Sequence, residues 1–161
     1  MKYSKAIVRI FFGAVFVLFF TKQVFAQSDT RIAALYKIGL SAKQGGYIFS
    51  LSKDRKHGLV AETQDQSSSS TWYDAQDKIS DPANHNNKYH GAYFRDWRMP
   101  TKFELNLLYL QKDAVGGFAS SYYWSSAEYD NANAWSQTFD YGYQNYYFKT
   151  ITLYVRAVRA F

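Results

Sequence analysis

The chain has no cysteine among its 161 residues. That excludes a thiol nucleophile, a cysteine-ligated zinc site and every disulfide. If the protein works outside the cytoplasm, its core must supply the stability that secreted domains often take from cross-links. Proline occurs only twice, and each one punctuates a helix. Asp81-Pro82 closes one, and Pro100 forces the residue before it out of the α region just ahead of another. Apolar runs are equally scarce: Ile10 to Phe20 is one, and no second segment of spanning length follows. No Gly-x-Ser-x-Gly elbow, phosphate loop or His-Glu-x-x-His motif occurs.

Residues 1–26 are set aside before any fold reasoning. Lys2, Lys5 and Arg9 form a positive start, Ile10 to Phe20 is apolar, and Val24-Phe25-Ala26 leads to a cut. This pattern predicts a secretory signal peptide cleaved between Ala26 and Gln27, and hence a periplasmic, surface or extracellular product. The run is well short of the ~20 residues that span hydrocarbon. The formal charge of the whole chain is +6, but Lys2, Lys5, Arg9 and Lys22 precede any acid. Removing those four of the nineteen basic residues leaves fifteen against thirteen acidic ones, a net +2. The basic character therefore belongs largely to the leader, and nucleic acid as a partner loses its main support.

Residues 27–43 read as a lead-in, with Ile32, Leu35, Tyr36 and Ile38 as a weakly helical stripe ended by Gly39. From Gln44 onward the pattern is that of one domain. Tyr47 to Leu51 and Leu59 to Ala61 flank the polar cluster Lys53 to Gly58 as a hairpin. Gln64 to Ser70 reads as a loop with four consecutive serines. Thr71 then caps a first helix, with Trp72, Ala75 and Ile79 on one face. Thr101 and Glu104 form a capping box for a second helix. Its apolar stripe is Phe103, Leu107 and Leu110, widened by Leu105 and Leu108. After Gly116-Gly117 come strands over Tyr123 to Ser126, Trp135 to Phe139, Tyr143 to Phe148 and Thr152 to Arg159. Hairpin, two helices and a twisted antiparallel β meander make an α+β domain.

Four segments, taken in order, also resemble a known family. They are Gly45-Gly46-Tyr47-Ile48-Phe49 running to His57-Gly58-Leu59-Val60-Ala61, Asp96-Trp97-Arg98-Met99-Pro100-Thr101 leading into Glu104-Leu105-Asn106-Leu107-Leu108, Tyr123-Trp124-Ser125-Ser126, and Val155-Arg156-Ala157-Val158-Arg159. The resemblance, over about residues 44–161, is to the Lcl C-terminal domain, the ligand-binding end of a collagen-like bacterial adhesin. It implies a C-type-lectin-like, formylglycine-generating-enzyme-like fold and a ligand-binding role. The oxidase chemistry of the catalytic relatives does not carry over, because it needs active-site cysteines. The Glu-Pro-Asn or Gln-Pro-Asp calcium triplet of sugar-binding C-type lectins is absent as well.

Among residues that could carry chemistry, His57, His85 and His90 read as surface or loop-packing side chains. Arg98 and Arg156 read as structural ion-pair members, with Asp96 and Glu104 as partners. Lys102, Lys149 and Arg159 would suit an anionic polysaccharide. No cofactor is expected; Glu128, Asp130, Asn131, Asn133 and Asp140 together offer oxygens for calcium, against the simpler reading of a solvated turn. A carboxylate pair such as Glu128 and Asp140 would suit a polysaccharide- or cell-wall-acting hydrolase. A small outer-membrane barrel is a third reading, opposed by the two capped helices and strands shorter than the ~9–11 residues a barrel needs.

The richest stretch is Tyr122 to Phe148, where eleven of twenty-seven residues are aromatic and most others are Ser, Asn, Asp, Gln, Gly or Ala. Tyrosine among small polar residues is the composition of binding loops. Trp124, Trp135 and Phe139 are expected in the core; Tyr129, Asn131, Asn133, Tyr141, Tyr143, Asn145 and Tyr146 are expected on turns and outward strand faces as ligand contacts. Some proteins resembling this family are diversified by retroelements at adenine-rich codons, and this composition is compatible with that. The expected activity is non-enzymatic binding of an extracellular glycan or surface protein. Protein recovered from the exported fraction of its native host should begin at Gln27 on N-terminal sequencing. An intact Met1 there would overturn the export reading.

Overall fold

In the computed structural model, residues 35–161 are described, and Tyr36–Phe161 form one compact unit. The expected signal peptide and residues 27–34 of the lead-in lie outside the described residues. Among the described residues, nine strands make two sheets. The first sheet takes strands β1 (Gly39–Ser41), β2 (Gly46–Leu51), β3 (Gly58–Ala61) and β9 (Val158–Ala160), in the order β1-β2-β3-β9. The second takes β4 (Ser67–Ser70), β5 (Tyr122–Glu128), β6 (Asn133–Thr138), β7 (Gln144–Phe148) and β8 (Leu153–Val155), in the order β4-β8-β5-β6-β7. Helices α1 (Ala75–Ser80), α2 (Lys102–Leu110) and α3 (Lys112–Val115) fall between β4 and β5. The α+β expectation holds. Pairing is antiparallel except for the parallel bridge between Tyr123 of β5 and Tyr154 of β8.

Several local expectations change. Lead-in residues Gly39 to Ser41 pair with Ile48 to Gly46, and the amide of Tyr36 donates to the carbonyl of Arg55, so this part of the lead-in is strand and not helix. The serine run is also a strand, because β8 supplies partners for Ser67 and Ser70. The single final strand is two: β8 belongs to one sheet and β9 to the other, with the crossing at Arg156-Ala157.

Helix α2 has the capping box expected of it, with Thr101 Oγ accepting from the Glu104 amide and the Glu104 carboxylate accepting from the Thr101 amide. Its buried face is different. Phe103 and Leu110 are 70% and 68% exposed, and Glu104, Leu105 and Leu108 point inward. The reason is Arg98, whose backbone is bridged to Val158 and whose guanidinium forks onto both Glu104 oxygens at 2.7 Å. A bidentate pair fixes both groups in one plane, so it sets the roll of the helix against any stripe of leucines.

Two apolar clusters fill the interior. One gathers Ile48, Val60, Ala75, Ile79, Trp97 and Trp124; the other gathers Phe49, Leu105, Leu108, Tyr123, Phe139 and Val158. Trp124 is a core residue as expected, Trp97 is another, and their indole N–H groups donate to the carbonyls of Ser70 and Gly91 at 2.9 Å. Polar groups thread between the clusters. Glu62 is fully buried and accepts from His85, Asn86 and the Thr63 amide. Burial pushes the Glu62 carboxyl up, but the bonds from His85, Asn86 and Thr63 outweigh it and hold it below its ordinary value. Glu104 behaves alike: burial raises it, and Arg98 and Thr101 more than compensate.

Two predictions follow from this packing. Trp124→Ala should lower unfolding free energy by about 3–5 kcal/mol, the range for deleting a buried large aromatic; a loss below ~1 kcal/mol in denaturant titration would place the indole outside the core. A carboxyl held low in the folded state stabilises fully above its unfolded value and loses that contribution as pH falls through the folded one. Stability should therefore drop as the medium is acidified below the ordinary glutamate range, and Glu104→Gln should show a shallower drop in urea unfolding. An unchanged slope in that variant would remove Glu104 from the acid response.

Candidate ligand-binding face

The β5–β6–β7 meander carries all seven residues singled out as contacts. Asn133 to Gln137 pair with Phe148 to Gln144, so Trp135 lies opposite Tyr146. Cross-strand partners share a face of the sheet, which puts Trp135 and Tyr146 side by side. Tyr129, just beyond β5, joins them because its amide donates to the Asn133 carbonyl at 2.9 Å. Its ring stacks on Tyr146 with centroids 3.9 Å apart and planes 1° from parallel. Both tyrosines meet Trp135 edge to face, at 5.4 and 5.9 Å. The Lys102 ammonium sits 3.0 Å from the Trp135 ring centre.

Trp135, expected in the core, is therefore half-buried and belongs to this aromatic cluster. The buried residues of β6 are Ala134, Ser136, Gln137 and Thr138. Lys102 likewise packs on the indole. Helix α2 is fastened to this face by Gln144 Nε2 donating to the Lys102 carbonyl at 2.8 Å and by Gln137 Nε2 donating to Asn106 at 2.9 Å. The cluster is thus held on one side by a sheet and on the other by a helix terminus.

The remaining candidates divide. Tyr141 and Tyr143 project from the β6–β7 turn, 76% and 72% exposed, with ring centres 6.3 Å apart. Gly142 between them has φ +79°, and a Cβ there would come within 2.2 Å of the Tyr109 ring, so the turn rests on α2 through a residue that must be glycine. Asn131 is exposed, and its carbonyl accepts from Lys149 at 3.1 Å. Asn133 is half-buried, and its side-chain amide is spent on Asp130 at 2.9 and 3.0 Å. Asn145 is exposed but alternates to the face opposite Tyr146, and its Oδ1 accepts from the Tyr146 amide. The structure brings Tyr129 and Tyr146 together, places Tyr141 and Tyr143 at the far end of the same hairpin, and uses Asn133 as turn scaffold. Phe148, exposed two residues beyond Tyr146, was not singled out; its place follows from register with Asn133.

Most of the groups considered for other chemistry are engaged, although Asp140 is exposed. Lys149 is buried, bonded to Glu128, and lies 4.8 Å from the Trp72 ring centre. Arg159 is buried and paired with Asp96 at 2.7 Å. Neither is free for an anionic ligand, contrary to expectation, and Glu128 is not an unpartnered acid or base. Asp130 accepts from the Asn133 side chain and from the amides of Ala132 and Asn133, and these bonds hold its carboxyl below the ordinary value. Those oxygens close a turn. Among the described residues no three His, Asp or Glu side chains group to hold a metal ion. A cleft of about 270 Å³ opens elsewhere, between Lys112, Gly116, Gly117, Ser120 and Phe139. The Lys112 ammonium there donates to the Phe139 carbonyl at 2.5 Å.

A search of curated proteins finds no match to this sequence. The profile of the Lcl C-terminal domain matches residues 50–159, most of the chain and all of the meander. With the Asp96-to-Thr101 turn, the capped α2 and the terminal arginine strands in their expected order, the chain belongs to the Lcl C-terminal domain family.

Proposed function

We propose that the protein is an exported, non-enzymatic binding module that meets an extracellular glycan or surface protein through the outer face of the β5–β6–β7 meander. The observation that carries this reading is the Tyr129–Tyr146–Trp135 cluster. Aromatic rings that are already stacked and braced lose little side-chain freedom when a ligand arrives. They offer area that a sugar ring or an apolar side chain can cover, and Tyr141 and Tyr143 extend it along the hairpin. Family membership agrees with a ligand-binding role, and the described residues hold no helix long and apolar enough to cross a membrane. Fold alone does not name a ligand.

The test separates folding from binding. Tyr141→Ala and Tyr143→Ala should leave the denaturant midpoint nearly unchanged, since those rings are well exposed, while Tyr146→Ala, which removes the stack on Tyr129, should cost only about 1 kcal/mol. Affinity for the ligand found on a glycan array should fall, by about thirtyfold where the residue is a hot spot worth ~2 kcal/mol. Unchanged affinity in all three variants would move the site off this face, and loss of folding with loss of binding would make the tyrosines structural.

A further inference from the structure

A second surface lies in the first sheet, at its β1 edge and the β2–β3 turn. The turn is closed by the Ser52 amide on the His57 carbonyl and the Arg55 amide on the Ser52 carbonyl. It is knotted to the start of the domain: Arg55 Nε donates to the Tyr36 carbonyl at 3.0 Å, and the Tyr36 amide donates to the Arg55 carbonyl. Lys37 is thereby brought beside Lys53, Arg55 and Lys56, and Lys43 lies 5.2 Å from the Tyr36 ring centre. Lys37, Lys53, Arg55 and Lys56 are exposed, and none of the five cations has a carboxylate partner among the described residues. The one acid in the turn, Asp54, is exposed and accepts from the Ser52 hydroxyl and the Lys56 amide, so it offsets only one of these cations. Beside these charges, Ile38 and Leu40 stand 50% and 56% exposed on and just before the edge strand.

We propose that this end of the domain is a peripheral docking surface for a membrane carrying anionic phosphate headgroups. Cations together with exposed aliphatic side chains match a lipid interface, where phosphates meet the former and the acyl boundary the latter. A soluble polyanion would use the lysines and leave Ile38 and Leu40 without purpose. A second copy of the chain paired across β1 would bring two sets of like charges together. The aromatic face belongs to the other sheet and stays available to a ligand, so the two surfaces can be occupied together.

The experiment is co-sedimentation of the exported protein with vesicles of phosphatidylcholine alone and of phosphatidylcholine with one-third phosphatidylglycerol. Binding is expected only to the anionic vesicles and should weaken steeply between 50 and 500 mM salt. Each lysine near an anionic leaflet contributes about a fivefold gain. Lys53→Gln with Lys56→Gln should then bind about twenty-five-fold more weakly. Ile38→Asn with Leu40→Asn should bind several-fold more weakly at every salt concentration, and Tyr141→Ala should bind as the parent does. Equal binding to neutral vesicles, no binding, or unchanged binding in both double variants would overturn the proposal. So would capture by dextran sulfate that needs the lysines and ignores Ile38 and Leu40. Urea midpoints of the variants serve as the folding control. If the lysine pair fails to fold, the salt dependence and the Ile38/Leu40 variant still decide.

Discussion

Arg156 sits where the chain leaves one sheet and enters the other, and both sheets depend on how its charge is satisfied. Its guanidinium is fully buried. Nε donates to Asp65 at 2.8 Å, Nη1 to the carbonyls of Glu62 and Gly116, and Nη2 to that of Gly117, with the Phe118 ring 4.0 Å beneath. No other side chain could meet a carboxylate, three carbonyls and an aromatic face from one plane. The arrangement is not cheap. Burial raises the Asp65 carboxyl, and Arg156 with Tyr123 offsets only part of that. Burial also pushes the Tyr123 hydroxyl up, and the Asp65 charge adds to it. A buried ion pair of this kind contributes more to orientation than to net stability. What it orients is the strand crossing itself.

The same device recurs. Arg98 on Glu104 sets the roll of α2, Arg159 on Asp96 pins β9 to the turn before α2, and His85 on Glu62 ties the loop after α1 to the end of β3. Each joins segments far apart in sequence or sets one element's angle. In a chain without cysteine these three arginine pairs and the His85–Glu62 hydrogen bond take up the kind of role that cross-links play in many secreted domains. They differ in being reversible and independent of redox state.

Much of this was legible from residue order, and the failures have physical causes. The β2–β3 hairpin, the capping box and the aromatic meander are local patterns, set by turn formers and alternation within a few residues. The exposure of Tyr129, Tyr141, Tyr143 and Tyr146 followed from the same alternation. Where tertiary pairing overrides local preference, the reading went astray. Four serines have little strand propensity, yet β8 makes them β4. The leucine stripe of α2 gave way to Arg98, whose hold on Glu104 outranks which apolar side chains face inward. Glu62 and His85 stand twenty-three residues apart and share no motif. Trp135 looked like core because tryptophan usually is, and only its register with Tyr146 and the approach of Lys102 bring it to the surface.

The two last strands also govern when the fold can exist at all. β8 lies between β4 and β5 in the interior of one sheet, and β9 completes the edge of the other beside β3. Any chain emerges N-terminus first, whether from a ribosome or across a membrane. Until residues 153–160 arrive, β4 and β5 have no strand between them and β3 has one side bare. The β3–β9 and β4–β8 pairings that close the domain then span most of its length, a topology that folds late and slowly. Without residues 153–161 the β1–β2–β3 and β5–β6–β7 pairings would remain, but β4 would be cut off from β5 and one side of β3 would stay unpaired, so incompletely emerged chains stay unlatched. Closure of this domain thus waits on residues 153–160.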